Sequence, residues 1–198
     1  MISASFDTWT SIFLLAAVQG IFLAFVIGKQ KAKFHPGKNY LSLLLVLFSL
    51  MLAFYVSYWT GYNKYLNYFD GLFLTLPFVF GPLFYRYQLA LRNKSNPDLF
   101  YLHYLPFALH TIWVLIVRFF LYDNLGPGIL GAISRWIFNF QALHLVFYSL
   151  KSASLNKIDY QDKNSWMRFS SIAFFIFSIS HLSYYLMVNF GEYILLLD

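Results

Sequence analysis

Cysteine is absent from the 198 residues, which removes disulfides, thiol nucleophiles and thiolate metal sites together. Charge is scarce as well. Asp, Glu, Lys and Arg make up 11% of the chain, against 60% hydrophobic and 23% aromatic residues. A soluble domain averages about 25% charged and about 45–50% apolar residues, so this chain has too little charge to cover a surface facing water. Its apolar mass excludes intrinsic disorder for the same reason. With mean hydropathy +0.59, a polytopic membrane protein remains.

Acidic residues are the scarcest charges, and all eight fall outside the apolar runs. Asp7, Asp70, Asp98, Asp123, Asp159, Asp162, Glu192 and Asp198 sit in loops or at helix ends. Coupled transport of protons or ions places an ionisable group inside the bilayer, and no carboxylate meets that need. There is no Ser-His-Asp arrangement, paired carboxylate, phosphate-cradling glycine loop or nucleotide motif. The reading is therefore non-enzymatic, with no catalytic residues and no cofactor.

A helix crossing about 30 Å of hydrocarbon takes roughly 20 apolar residues, so the apolar share accommodates about six. The apolar segments predict helices over about 9–28, 40–60, 71–91, 101–121, 131–150 and 166–190. The fold class is all-α, a six-helix transmembrane bundle forming a single membrane domain over 1–198. Pro77 and Gly81-Pro82 interrupt the third segment. The first segment lacks a basic leader and a cleavage site, so it reads as a retained helix.

Basic residues separate sharply between the two sides. Lys29, Lys31, Lys33, Lys38, Arg86, Arg92, Lys94, Lys151, Lys157, Lys163 and Arg168 flank the odd-numbered loops, leaving Lys64, Arg118 and Arg135 on the other side. Positive charge concentrates in cytoplasmic loops, so the N-terminus lies outside and the chain is a multi-pass protein of a bacterial inner membrane. The net charge of +6 then reports orientation and attraction to anionic lipid. It does not imply direct binding of nucleic acid by this chain. Tyr55, Tyr58, Trp59, Tyr62 and Tyr65 crowd one helix end, and Tyr101 and Tyr104 another, as interfacial aromatics do.

Polar residues inside the runs are few and therefore informative. Gln19, His110, Asn139 and Gln141 fall at similar depth by helix rise, forming a candidate layer that binds a ligand or couples helix movements; His110, His144 and His181 fall at different depths, spread over about 13 Å. The competing explanation is ordinary interhelical hydrogen bonding, at about 0.6 kcal/mol per bond. The histidines do not follow the i, i+3 or i+4 spacing of helical metal ligands, and His35 is a loop residue, so no metal site is expected. Arg86, Arg118 and Arg135 lie near helix ends, where snorkelling accounts for them. Gly81 and Pro82 form a candidate hinge, and Ser171, Ser178 and His181 form a polar stripe of the kind that packs on neighbouring helices.

Several short patterns occur together: Gln19-Gly20, then Gly81-Pro82-Leu83-Phe84-Tyr85, then Leu102-His103-Tyr104-Leu105-Pro106-Phe107, then Ser165-Trp166-Met167-Arg168. Their order and spacing resemble the N-terminal membrane domain of AraC-type transcriptional regulators of Bacteroidetes, in which about seven helices precede a cytoplasmic helix-turn-helix domain. The resemblance implies a sensory domain that biases an attached DNA reader. Gly81, Pro82, His103 and Pro106 are then candidate transmission residues near the inner surface, and a homodimer is the implied assembly. The chain lacks a seventh helix and the DNA-binding domain, as a fragment, an engineered truncation or a shortened relative would. The expected function is a signal-sensing regulatory module with an unknown ligand or membrane partner; the alternative is a small transporter or carrier subunit.

Overall fold

The computed structural model describes residues 7–31, 37–62, 70–94, 100–121, 127–158 and 165–194, and every element among them is helical. Lys33, His35, Lys64, Tyr65, Asp98, Asp123, Asp159, Asp162, Lys163 and Asp198 lie outside the described residues. The helices are α1 (Thr8–Lys29), α2 (Lys38–Trp59), α3 (Asp70–Phe73), α4 (Pro77–Leu91), α5 (Leu105–Ile116), α6 (Pro127–Ile158) and α7 (Ser165–Ile194). A 3-10 turn (Phe100–Tyr104) leads into α5, and a π-turn (Val117–Leu121) follows it. Four stretches, Thr8–Lys29, Lys38–Trp59, Phe100–Leu121 and Ser165–Val188, are long and apolar enough to cross a membrane. The chain falls into two compact units, Met1–Phe100 and Tyr101–Asp198.

In the first unit, α1 begins with a reciprocal cap. The Asp7 carboxylate accepts from the Thr10 amide at 2.7 Å, and the Asp7 amide donates to the Thr10 hydroxyl at 3.0 Å. These bonds satisfy donors that the first helical turn leaves open. The Thr10 amide and hydroxyl hold the Asp7 carboxyl below its ordinary value of 3.8. A depressed carboxylate pKa stabilises the folded turn above the unfolded value and loses that stabilisation as pH falls through the folded one. Acidification below about pH 3.8 should therefore accelerate amide exchange at Thr10 and Ser11 in the wild type but not in Asp7→Asn; equal acid response in both would refute the cap.

α1 packs on α2 through small residues. Ala17 and Ala24 are buried, and Gly20 and Gly28 continue the same face, the spacing that lets membrane helices approach closely. Ser42 of α2 donates its hydroxyl to the Ala24 carbonyl at 2.7 Å. The opposite face leaves Trp9, Leu15, Phe22 and Phe25 each more than 60% exposed. An apolar face of this kind suits a bilayer and not water.

The third predicted segment, 71–91, is not one helix. Pro77 cannot donate a backbone bond, so the chain forms the short α3, turns through residues 74–76 and restarts with Pro77 in the first turn of α4, where the missing N–H is unneeded. Gly81-Pro82 does not interrupt α4. A side chain before proline would crowd the pyrrolidine ring in helical conformation, and Gly81 has none. At 15 residues, α4 is about 22 Å long. It is the buried centre of its unit, with Phe78, Phe80, Pro82, Tyr87 and Gln88 all sealed from solvent.

Basic residues of the first unit make defined contacts within it. Lys38 reaches the carbonyls of Gly28 and Gln30, at 2.9 Å for Gly28, and so neutralises the C-terminal end of α1. Arg86 is half-buried. Its guanidinium stacks on the Tyr40 ring at 4.7 Å and the Phe100 ring at 4.9 Å, because two aromatic faces lie within reach of its planar cation. Arg92 donates to both the carbonyl and the side-chain oxygen of buried Gln88, each at 2.8 Å.

In the second unit, α6 is longer than the sequence predicts. It begins four residues before 131 and continues eight past Leu150, for 32 residues in all. The apolar run ends at Lys151, but Lys, Ser, Ala and Leu are compatible with helix, so the backbone continues where the hydropathy does not. Arg135, Asn139, Gln141 and His144 dilute its apolar character, and α6 is not among the four stretches named above. α7 spans Ser165–Ile194, close to its expected limits.

Candidate functional site

The second unit is organised around the α6–α7 pair. Gln141, Leu145, Tyr148, Ser152 and Leu155 are buried along α6, with spacings of four, three, four and three. Met167, Ser171, Phe174 and Ser178 are buried along α7 with the same alternation. This alternation of four and three is the spacing of a coiled-coil seam. Of the expected stripe of Ser171, Ser178 and His181, the two serines are buried on this face and His181 is half-buried. Phe138 stacks on Tyr185 at 5.2 Å and 11°, which sets an antiparallel register in which Ser152 stands opposite Ser171.

Two groups of histidines lie beside this seam. His181 meets the Tyr185 ring edge-on, with centroids 4.9 Å apart, and also stacks on Phe177 at 5.9 Å. From α5, the His110 ring meets Phe138 edge-on at 6.4 Å. His110, Phe138, Tyr185 and His181 therefore form one cluster drawn from three helices. Toward the 3-10 turn, His103 hydrogen-bonds the Tyr148 hydroxyl, and Tyr148 lies 4.8 Å from His144. That second cluster again joins the start of α5 to α6.

The residues predicted as a polar layer are shared between the two units. Gln19 lies on an exposed part of α1 in the first unit. His110, Asn139 and Gln141 belong to the second unit, where His110 and Gln141 are buried and Asn139 is half-buried. Gln141 and Asn139 are two residues apart and so point to different sides of α6. The predicted transmission residues also divide between units. Gly81 and Pro82 are buried within α4, while His103 lies in the 3-10 turn and Pro106 in the first turn of α5.

The sequence reading missed Phe138, Tyr148 and Tyr185, which hold the histidines together. The signal was present as i, i+4 pairs. His144 and Tyr148 share a face of α6, and Phe177, His181 and Tyr185 share a face of α7, because four residues bring side chains nearly into line. Chemically, each neutral imidazole offers one donor and one acceptor, and the ring edges meet aromatic faces, where the quadrupole favours such contacts. Among the described residues no group of three or more His, Cys, Asp or Glu side chains could hold a metal ion. The Nε2 of His181 is buried and has no hydrogen-bond partner among the described residues.

No family model, curated protein or solved structure matches this chain.

Proposed function

We propose that the protein is a non-enzymatic sensory module of a bacterial inner membrane, with six spanning segments and its N-terminus outside. In this reading it is the membrane part of an AraC-type regulator, and its output is transcription. The short motifs at Gln19-Gly20, Gly81–Tyr85, Leu102–Phe107 and Ser165–Arg168 support the family. The positive charge at the odd-numbered loops supports the orientation.

The observation that carries a sensing role is the His110–Phe138–Tyr185–His181 cluster, in which side chains of three helices meet through ring contacts. A cue that binds there favours one arrangement of α5, α6 and α7 by the difference in its affinity for the two arrangements. The unsatisfied Nε2 of His181 supplies a polar point for such a cue.

Deletion of the gene in its host tests the reading. The deletion should alter a restricted set of transcripts, and the wild-type gene should restore them. A gene carrying both His110→Phe and His181→Phe, made at wild-type level in the membrane, should not. Purified chain in sealed vesicles should accumulate no solute; uptake there, with an unchanged transcript profile in the deletion strain, would replace this function with a carrier.

A further inference from the structure

A groove of about 270 Å³ runs between the C-terminal part of α6 and the start of α7. Leu150 and Ala153 form one wall, and Arg168, Ser171, Ile172 and Phe175 the other. Pockets for drug-sized molecules measure about 300–1,000 Å³, so this one is sized for a smaller fragment. Its mouth is open along the apolar flank, since Leu150 is 55% and Ile172 59% exposed.

Three features of the groove point to one kind of occupant. Arg168 is exposed, lies in the first turn of α7 and makes no ion pair among the described residues; the helix N-terminus adds positive potential of its own. Trp166 and Phe169 are exposed beside it, with their rings 5.9 Å apart. Tryptophan settles at the level of lipid headgroups, and Arg168 follows Trp166 by only about 3 Å along the axis, within reach of the same level. Below it, Ser171 is 2% exposed and its hydroxyl has no hydrogen-bond partner among the described residues; the Ser152 hydroxyl opposite is in the same state. Polar groups buried without partners are costly, and an ester-bearing ligand in the groove would bring acceptors close to Ser171, which lines it.

We propose that this groove binds one anionic phospholipid. The phosphate pairs with Arg168, the glycerol ester region lies against Ser171, and the first part of an acyl chain runs along Leu150, Ile172 and Phe175. The assignment rests on the protein being embedded in a bilayer and does not depend on the regulatory role. Basic pockets between membrane helices select anionic headgroups in this way, and each positioned Lys or Arg adds about fivefold in affinity at the membrane surface.

Native mass spectrometry of the full chain, released from nanodiscs containing equal phosphatidylglycerol and phosphatidylcholine, tests the site. Wild type should retain the anionic lipid with about fivefold preference. Arg168→Gln should bring the ratio near one. Ile172→Trp fills the groove without changing charge and should do the same, and Ala153→Phe repeats that test from the α6 side. Lys94→Gln, an exposed cation of the first unit, should leave the preference intact. Parity in the wild type, or a preference that survives both groove-filling substitutions, would overturn the site in favour of general surface attraction.

Discussion

Phe80→Ala should lower stability by about 3–5 kcal/mol, the range for truncating a fully buried phenylalanine. Phe80 is 0% exposed and stacks on Phe48 of α2 with centroids 4.1 Å apart and planes 20° from parallel. Removing it deletes the ring that joins α4 to α2 and opens a cavity that neighbouring side chains cannot easily fill. In a bilayer the hydrophobic effect does not drive helices together, so close packing contributes a larger share. Phe22→Ala is the matched control. Phe22 is 63% exposed on α1, and its truncation should cost within about 0.5 kcal/mol. Detergent-titrated unfolding of both variants measures the difference; equal losses would mean that α4 is not the packed centre of the first unit.

Gly37→Val should have the next largest effect, on the order of 2–5 kcal/mol from backbone strain and overpacking together. Gly37 is the residue before α2 and has φ +81°, a left-handed conformation that β-branched side chains rarely adopt. Space fails as well as torsion. A Cβ at Gly37 would lie 3.0 Å from the Ala90 Cβ and 3.1 Å from a ring carbon of Tyr87. Gly37→Asn separates the two causes, because asparagine accepts positive φ more readily but meets the same Ala90 contact. Thermal unfolding should rank wild type above Asn and Asn above Val. If Asn and Val lose the same stability, the crowding against α4 is the whole effect.

Much of the helix layout was legible from the sequence, and its failures have identifiable causes. The limits of α1, α2 and α7 differ from the expected ones by a few residues, because their apolar runs end where their helices end. In α6 the two separate: the run stops before Lys151, whereas the backbone bonds continue to Ile158. At Pro77 the missing donor breaks the segment outright. At Pro82 the preceding Gly81 relieves the clash that would have supported a break, so two prolines five residues apart have opposite consequences. Basic residues that charge counting treats alike make particular contacts that it could not reveal. Arg86 and Lys38 are bonded to rings and carbonyls of their own unit, and only the fold brings Tyr40 and Phe100 to the same guanidinium.

The polar residues were legible individually, and their side-chain directions were not. Depth along a helix can be read from rise per residue, but it does not say which way a side chain points. Gln19 matched His110 in depth and lies exposed on α1. Gln141 and His110 were identified and are buried. Their aromatic partners were passed over because a chain with 24 phenylalanines and 16 tyrosines gives no compositional reason to single out Phe138, Tyr148 or Tyr185. Only the heptad register of α6 against α7 distinguishes them from the rings that face outward.

The π-turn at Val117–Leu121 closes i→i+5 bonds where an α-helix closes i→i+4, so the chain holds one more residue there than a regular helix requires. Each residue turns the helix by about 100°. Within that turn Phe119 and Phe120 are 65% and 72% exposed. Substitutions at those positions change what is presented to the surroundings; loss of a single residue would change which way the segment faces. The end of this helix is thus governed by residue count as much as by residue identity.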